Sequence, residues 1–381
     1  DDKLTILLFP CTMFAVPHNV STMNLQKIAI AAGIISGMMT TARAQQHVHS
    51  QEPADTTTHY SAEKHLSNIR QLTFGGDNAE AYFSFDSKSI VFQATNPAWN
   101  ASCDQIFSSA IEPFKPALVS TGLGRTTCSY FLPGDSLFLY ASTHGAGKEC
   151  PPKPAPRADH KYVWALYPSF DIYLADLKGQ IRKQLTTEPG YDAEATVSPK
   201  GDKIVFTSTR NGDIDLYVMD IDGGNVRQIT RELGYDGGAF FSPDGSKIIF
   251  RASRPKTEEE VSTYKQLLQE NLVMPTNMEL YVCNADGSEL KQLTSLGGAN
   301  WAPFFSPDGK RVIFSSNHVR KGYSFNLWMI QLDGTGLEQI TFDPHFDAFP
   351  MFSPDGKRLI FSSNRNNGGT HDTNLFIADW V

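Results

Sequence analysis

The chain has 381 residues, of which 40% are hydrophobic and 19% charged, a balance that supplies a large core and excludes wholesale disorder. Lys and Arg number 33 against 41 Asp and Glu, a net charge of -8, which is the wrong sign for neutralising nucleic-acid phosphates. No nucleic-acid partner is expected.

In chain order, residues 1–22 precede Met23 and read as an upstream extension of the reading frame. From Met23 the sequence MNLQKIAIAAGIISGMMTTARAQQ carries one lysine, an apolar run from Ile28 to Met39, and Ala42-Arg43-Ala44 before Gln45. That is the layout of a secretory signal peptide over residues 23–44, with an apolar run too short to span a bilayer. The protein is therefore expected to be periplasmic or secreted, with a polar leader over residues 45–68. No later segment approaches about 18 consecutive apolar residues, so no transmembrane segment is expected.

Residues 69–381 are dominated by an internal repeat. FSFDSKSIVF from Phe83, FLPGDSLFLY from Phe131, VSPKGDKIVF from Val197, FSPDGSKIIF from Phe241, FSPDGKRVIF from Phe305 and FSPDGKRLIF from Phe352 make six copies. Their second positions (Ser84, Leu132, Ser198, Ser242, Ser306, Ser353) are spaced by 48, 66, 44, 64 and 47 residues. This is a mid-forties period interrupted by two insertions, and it matches four-stranded propeller blades. In each copy a short strand enters S-P-D-G, whose Pro and Gly suit a tight hairpin. A second alternating strand returns, a third follows (Asp215–Met219, Glu279–Val282), and a fourth carries Q-L-T or Q-I-T, as in Gln228-Ile229-Thr230. The series opens on a fourth-type strand, Arg70–Thr73, and ends on a third-type strand, Asn374–Ile377. The two ends complete one blade between them, which predicts an all-β, six-bladed β-propeller closed by its N-terminal strand.

The repeat S-P-D-G-K-x-I-x-F-x-S-x-R, followed by an x-L-Y-V-M-D-x-D-G strand and Q-L-T, resembles the WD40-like (PD40) repeat of the TolB-like propeller family. Similar repeats occur in the propellers of prolyl-oligopeptidase-type and tricorn-type peptidases. The resemblance covers residues 69–381 and implies the propeller fold. TolB proteins carry an α/β domain ahead of the propeller, where this sequence offers only the short leader.

Two polar columns flank each hairpin. Six residues before the anchor stand Asn78, Thr126, Asp192, Asp236, Asn300 and Asp347; twelve after it stand Asn96, His144, Arg210, Arg254, His318 and Arg365. Every acid faces an Arg, which favours charge pairs tying blades together at one mouth of the channel over a ring of ligand-binding groups. Four residues before the anchor, Glu80, Cys128, Glu194, Gly238, Ala302 and Phe349 are expected to point the same way as the first column, since strand side chains alternate. With Asp192 and Asp236, Glu80 and Glu194 suit a Ca²⁺ cation at the channel mouth or a basic peptide end; a solvated acidic lining is the plain alternative. The binding candidates are thus Glu80, Asp192, Glu194, Asp236, Asn300 with its neighbour Trp301, His144, His318, Asp347, Arg210, Arg254 and Arg365.

The insertions, over residues 145–169 and 255–277, both join second to third strands and emerge on the face bearing the polar columns. Thr257-Glu258-Glu259-Glu260 is a capping box followed by Val261, Tyr264, Leu268 and Leu272 at helical spacing, predicting an amphipathic helix over part of the mouth. The first insertion offers Pro151 and Pro152 for stiffness, and Tyr162, Trp164 and Tyr167 either as exposed contacts or as packing beneath the loop. Export leaves Cys103, Cys128, Cys150 and Cys283 where disulfides form. Cys103–Cys150 is the expected bridge, with Cys103–Cys128 as the alternative; no C-x-x-C spacing supports zinc.

No G-x-S-x-G, H-E-x-x-H, Walker-type or G-x-G-x-x-G string occurs, and the last strand lies so near Val381 that no separate peptidase domain is expected. The sequence therefore reads as an exported non-catalytic propeller binding an envelope protein or peptide. Two alternatives stand beside it. One is a propeller enzyme or carbohydrate-binding protein acting on an extracellular polymer, with Glu80, Glu194, His144 and His318 converging in one pocket. The other is a regulatory subunit of a separate peptidase.

Overall fold

The computed structural model describes residues 56–381; the expected signal peptide and the upstream extension lie outside the described residues. The first blade comprises Asp77–Phe83, Ser89–Asn96, Ala101–Ala110 and Ala117–Leu118, and the second Thr126–Phe131, Leu137–Ser142, Asp171–Asp176 and Ile181–Gln184. Blades three to five open on Asp192–Val197, Asp236–Phe241 and Asn300–Phe305 and repeat the same four-strand antiparallel order. The sixth combines Asp347–Phe352, Arg358–Ser363 and Asn374–Trp380 with the N-terminal strand Leu66–Gln71.

Period-two alternation in the second strands distributes the core. In the third blade Ile204 and Phe206 face the second blade, while Val205 faces the fourth; there Ile248 and Phe250 face back and Ile249 faces on. One apolar cluster fills each of the six gaps between blades. Since both faces of each sheet are covered, these strands are buried almost throughout, and each Val, Ile or Phe contributes about 1.5–3 kcal/mol.

The repeat motif has a hydrogen-bonding reason at each position. Ser242 Oγ donates to Asp244 Oδ1 at 2.6 Å and accepts from the Lys247 amide at 2.9 Å, closing the turn in which Gly245 takes φ +73°. The Thr of Q-L-T accepts a third-strand amide: Leu216 N–H to Thr230, Leu280 N–H to Thr294 and Leu327 N–H to Thr341, at 2.8–2.9 Å. Leu375 N–H donates to Thr73 Oγ1 at 2.8 Å in the same way. With Arg70 opposite Ile377 and Gln71 opposite Phe376, the N-terminal strand does the work of a fourth strand, and the ring is closed.

The closing strand starts at Leu66, inside the expected leader, because Leu66 is buried beside Phe352 and Phe376. The preceding residues also dock on the ring. Glu63 is buried against Arg365 at 2.9 Å, and the Tyr60 hydroxyl donates to Asp343 at 2.8 Å.

The two insertions meet over the axis. Trp164–Ala165 from the second blade pairs antiparallel with Leu272–Val273 from the fourth, forming a small two-stranded lid. The helix α1 (Glu258–Gln269) forms with both halves of the Thr257/Glu260 capping box in place. It buries Tyr264 and Leu267; of the expected stripe, Val261 and Leu268 are only half-buried and Leu272 belongs to the lid strand. No helix among the described residues is long and apolar enough to cross a membrane.

Candidate functional site: the lidded face and the axial chamber

Each acid of the first polar column meets its Arg: Asp192–Arg210 at 2.8 Å, Asp236–Arg254 at 2.6 Å and Asp347–Arg365 at 2.8 Å. The pairs tie the first strand of a blade to the end of its own second strand, rather than one blade to the next as expected. The reason is the hairpin register, which sets Asp192 opposite Ser208 and Asp236 opposite Ala252. Each cation then lies over a ring of the third strand: Arg210 over Tyr217 at 5.0 Å, Arg254 over Tyr281 at 4.8 Å, Arg365 over Phe376 at 5.9 Å. The two His of the second column also lie on third-strand rings. His318 packs on Trp328 and His144 on Tyr173, each with Nδ1 at 2.8 Å from a Ser hydroxyl, Ser316 and Ser142. Ser316 Oγ reaches Asn300 Oδ1 at 2.6 Å, and Asn96 donates to Asn78 at 3.4 Å. Burial lowers both imidazole pKa values.

The third column behaves differently from simple alternation. In all six blades the first strand carries a bulge, and its column residue lies at positive φ: Glu80 51°, Cys128 48°, Glu194 56°, Gly238 60°, Ala302 47° and Phe349 54°. The bulge re-aims these residues inward, onto an axial chamber of about 20 Å³, room for one water molecule. Bulging also frees an amide, and a neighbouring group meets it. Cys128 N–H donates to Gln93, Gly238 N–H to Glu194 and Phe349 N–H to Ser315, at 3.2, 2.9 and 3.0 Å.

Inside the chamber Arg251 Nη2 lies 2.5 Å from Glu194 Oε1. Glu194 also accepts from Tyr235 OH at 2.7 Å and Thr207 Oγ1 at 2.8 Å. Glu80 accepts from Tyr82 OH at 3.2 Å. Burial pushes its carboxyl up to about 7; nearby Arg251 and the Tyr82 hydrogen bond oppose this, while Glu194 adds to it. Arg251, the central cation, escaped the sequence reading. Its column, nine residues after the anchor, otherwise holds Gln93, Ala141, Thr207, Ser315 and Ser362, so its one charged member was the available signal.

Above the chamber the lid packs as a plug. Trp164 lies 5.2 Å from Trp301, which stacks on Phe325 at 4.4 Å and donates from Nε1 to Pro275 O at 3.0 Å. The Arg251 guanidinium sits 5.3 Å from the Trp164 ring. Trp301 is therefore a buried anchor, and Trp164 packs beneath its loop rather than being exposed, because both fill the axial opening; Tyr162 and Tyr167 are half-buried against the same cluster. The carboxylates put forward for Ca²⁺ do not gather. Glu80 and Glu194 line the chamber, while Asp192 and Asp236 are held by Arg210 and Arg254 outside its lining. Among the described residues no group of three or more His, Cys, Asp or Glu is arranged to hold a metal.

The open space lies on the outside of the lid. A groove of about 680 Å³ runs between the Pro152–Asp159 segment and the chain from Ala165 to Pro168, with Glu270–Leu272 at its end. Cys150, bonded to Cys103 of the first blade with 6.0 Å between Cα atoms, roots the Pro-rich wall. Tyr167 OH donates to Pro152 O at 3.1 Å, and Arg157 pairs with Glu270 at 2.6 Å and Asp159 at 3.0 Å, joining that wall to the end of α1. A cavity of about 250 Å³ lies between α1 and Arg254, and one of about 240 Å³ at the opposite mouth beneath the turn prolines Pro199, Pro243, Pro307 and Pro354.

A family model described as the TolB beta propeller domain matches residues 165–274 and 271–371, over half of the chain. No curated protein matches. Among solved structures, a TolB protein of Agrobacterium tumefaciens is similar at 19% identity and TM-score 0.53, over 80% of this chain and 91% of that one. TolB of Acinetobacter baumannii is similar at 20% and 0.53, over 78% of this chain but only 64% of that one. A Xanthomonas campestris protein described as a gluconolactonase reaches 12% and 0.52, over 87% and 95%. At these identities the likeness is one of fold.

Proposed function

The chain belongs to the TolB beta propeller family, and on that premise we propose that it is an exported, non-catalytic propeller that binds a protein or peptide of the cell envelope on its lidded face. The observation that carries the reading is the 680 Å³ groove on the outside of the lid, within the size range of ligand sites. Loops built on a rigid scaffold are where recognition concentrates. The disulfide that roots the groove wall fits an oxidising compartment, and the layout of residues 23–44 fits export.

The polar columns support this placement by being spent elsewhere. Asp192, Asp236 and Asp347 hold their own blades, and Trp301 holds the plug. The enzyme reading requires Glu80, Glu194, His144 and His318 in one pocket, but the chamber is lined by the two Glu, while the two His pack on third-strand rings. The test is affinity capture of envelope proteins on the purified domain starting at Gln45, repeated with Tyr167→Ala and with Asp192→Asn. Loss with the groove variant alone is expected. Loss with Asp192→Asn alone would move the site to the polar columns.

A further inference from the structure

We infer that the outer edge of the lid strand Trp164–Ala165 is a strand-addition site, taking an extended, uncharged peptide segment into the groove. This rests on the groove being the binding site and specifies how it binds. In the lid, Trp164 is opposite Val273 and Ala165 opposite Leu272, and Leu166 N–H reaches Asn271 O at 2.8 Å. Hydrogen-bonded positions alternate along an antiparallel pair. Trp164 and Leu166 therefore turn their backbone groups toward the partner strand, and Ala165 turns its N–H and C=O the other way, onto the groove it lines.

Two features make that edge receptive. Ala165 is 8% exposed, so backbone groups facing the groove are poorly hydrated and gain from a partner. The lid sheet has only two strands, and a third strand extends the ladder that two alone support weakly. Unpaired edges of this kind capture extended peptides through main-chain bonds, with alternate side chains entering pockets. From Ala165 to Pro168 the floor is at most about 10 Å long at about 3.3 Å per residue, and Pro168, lacking an amide, ends it.

Charge selects the occupant. The ionisable groups of the lining are Lys153, Arg157, Asp159 and Glu270, two cations and two anions. Arg157 is already matched by Asp159 and Glu270. The lining therefore presents no net charge to favour an acidic or a basic side chain, whereas small apolar residues meet Leu166, Tyr167 and the prolines.

The test selects a display library of random twelve-residue linear peptides on the whole domain, then rebuilds a binder with one backbone N-methyl group at a time. Strand addition predicts that affinity falls at least tenfold at the one or two alternate positions that pair with the Ala165 edge and holds at the others, and that Ala165→Pro removes binding while Ala165→Gly keeps it. Binders lost with Tyr167→Ala but indifferent to N-methylation would overturn strand addition and leave the groove as the site. Binders indifferent to Tyr167→Ala as well, or none at all, would overturn both. The N-methyl scan alters only the peptide, so its outcome stands even if Ala165→Pro disturbs the lid.

Discussion

Replacing Arg251 by Met tests the chamber. The side chain is enclosed, and its removal strands Glu194, itself about as deeply buried. Tyr235, Thr207 and the Gly238 amide remain as donors, but the one counter-charge bonded to Glu194 goes. Breaking a buried pair from one side costs about 3–5 kcal/mol. For the roughly 316 residues of the ring, an unfolding entropy of about 2.1 cal/mol/K per residue gives about 0.66 kcal/mol/K, so Tm should fall by about 5–8 °C. Adding Glu194→Gln should restore most of the loss, since the amide needs no counter-charge. Circular-dichroism melts of the two single variants and the double variant are the assay. A single variant within about 1 °C of the parent, or a double variant no better than Arg251→Met, would refute the view that Arg251 is there to neutralise the chamber.

Glu80, with its pKa raised to about 7 from 4.5, binds its proton more tightly folded than unfolded. It therefore takes stability away as pH rises from about 4.5 to about 7, and Glu80→Gln should flatten that part of a stability-against-pH curve and raise Tm at pH 8. Opening the disulfide with the paired Cys103→Ser and Cys150→Ser changes releases a 47-residue separation, about 4 kcal/mol in the chain-entropy model, measurable by denaturant unfolding. Peptide mapping under non-reducing conditions should recover that pair. Asp347→Ala removes one of the two carboxylates holding the fully buried Arg365; it should cost about 1–3 kcal/mol in melts while leaving capture of the envelope partner unchanged. Thr73→Ala and Thr230→Ala should cost the same, about 1 kcal/mol each, because both hydroxyls accept a third-strand amide.

The ring was readable because its causes repeat. Thr73 and Thr230 stand 11 and 12 residues before their anchors Ser84 and Ser242, and a blade count follows from that spacing alone. The Asp–Arg pairs were readable too, since hairpin register is local. Three things escaped. One is the positive φ that turns Glu80 and Glu194 onto the axis; such residues seldom adopt it, and strict alternation cannot foresee a bulge. Arg251 occurs once, in a column whose other members are neutral. The lid strands are two residues each, too short for any periodicity, and Trp164 meets Trp301 only because two insertions from different blades converge over the axis.

The pairing of Arg70 with Ile377 bears on how the molecule is made. Their separation of 307 residues means that synthesis delivers one strand of the last sheet long before the other three. Until Asn374–Trp380 emerges, Leu66–Gln71 has no native partner, and the growing array presents raw edges of the kind that recruit other chains. Closing so long a loop is slow, though its entropic cost grows only with the logarithm of length. The vulnerable interval is therefore the one before closure, when a chain is most exposed to aggregation and proteolysis. Once the two ends meet, opening the seam requires peeling the terminal strands together, so the ring's kinetic durability is concentrated in a single junction.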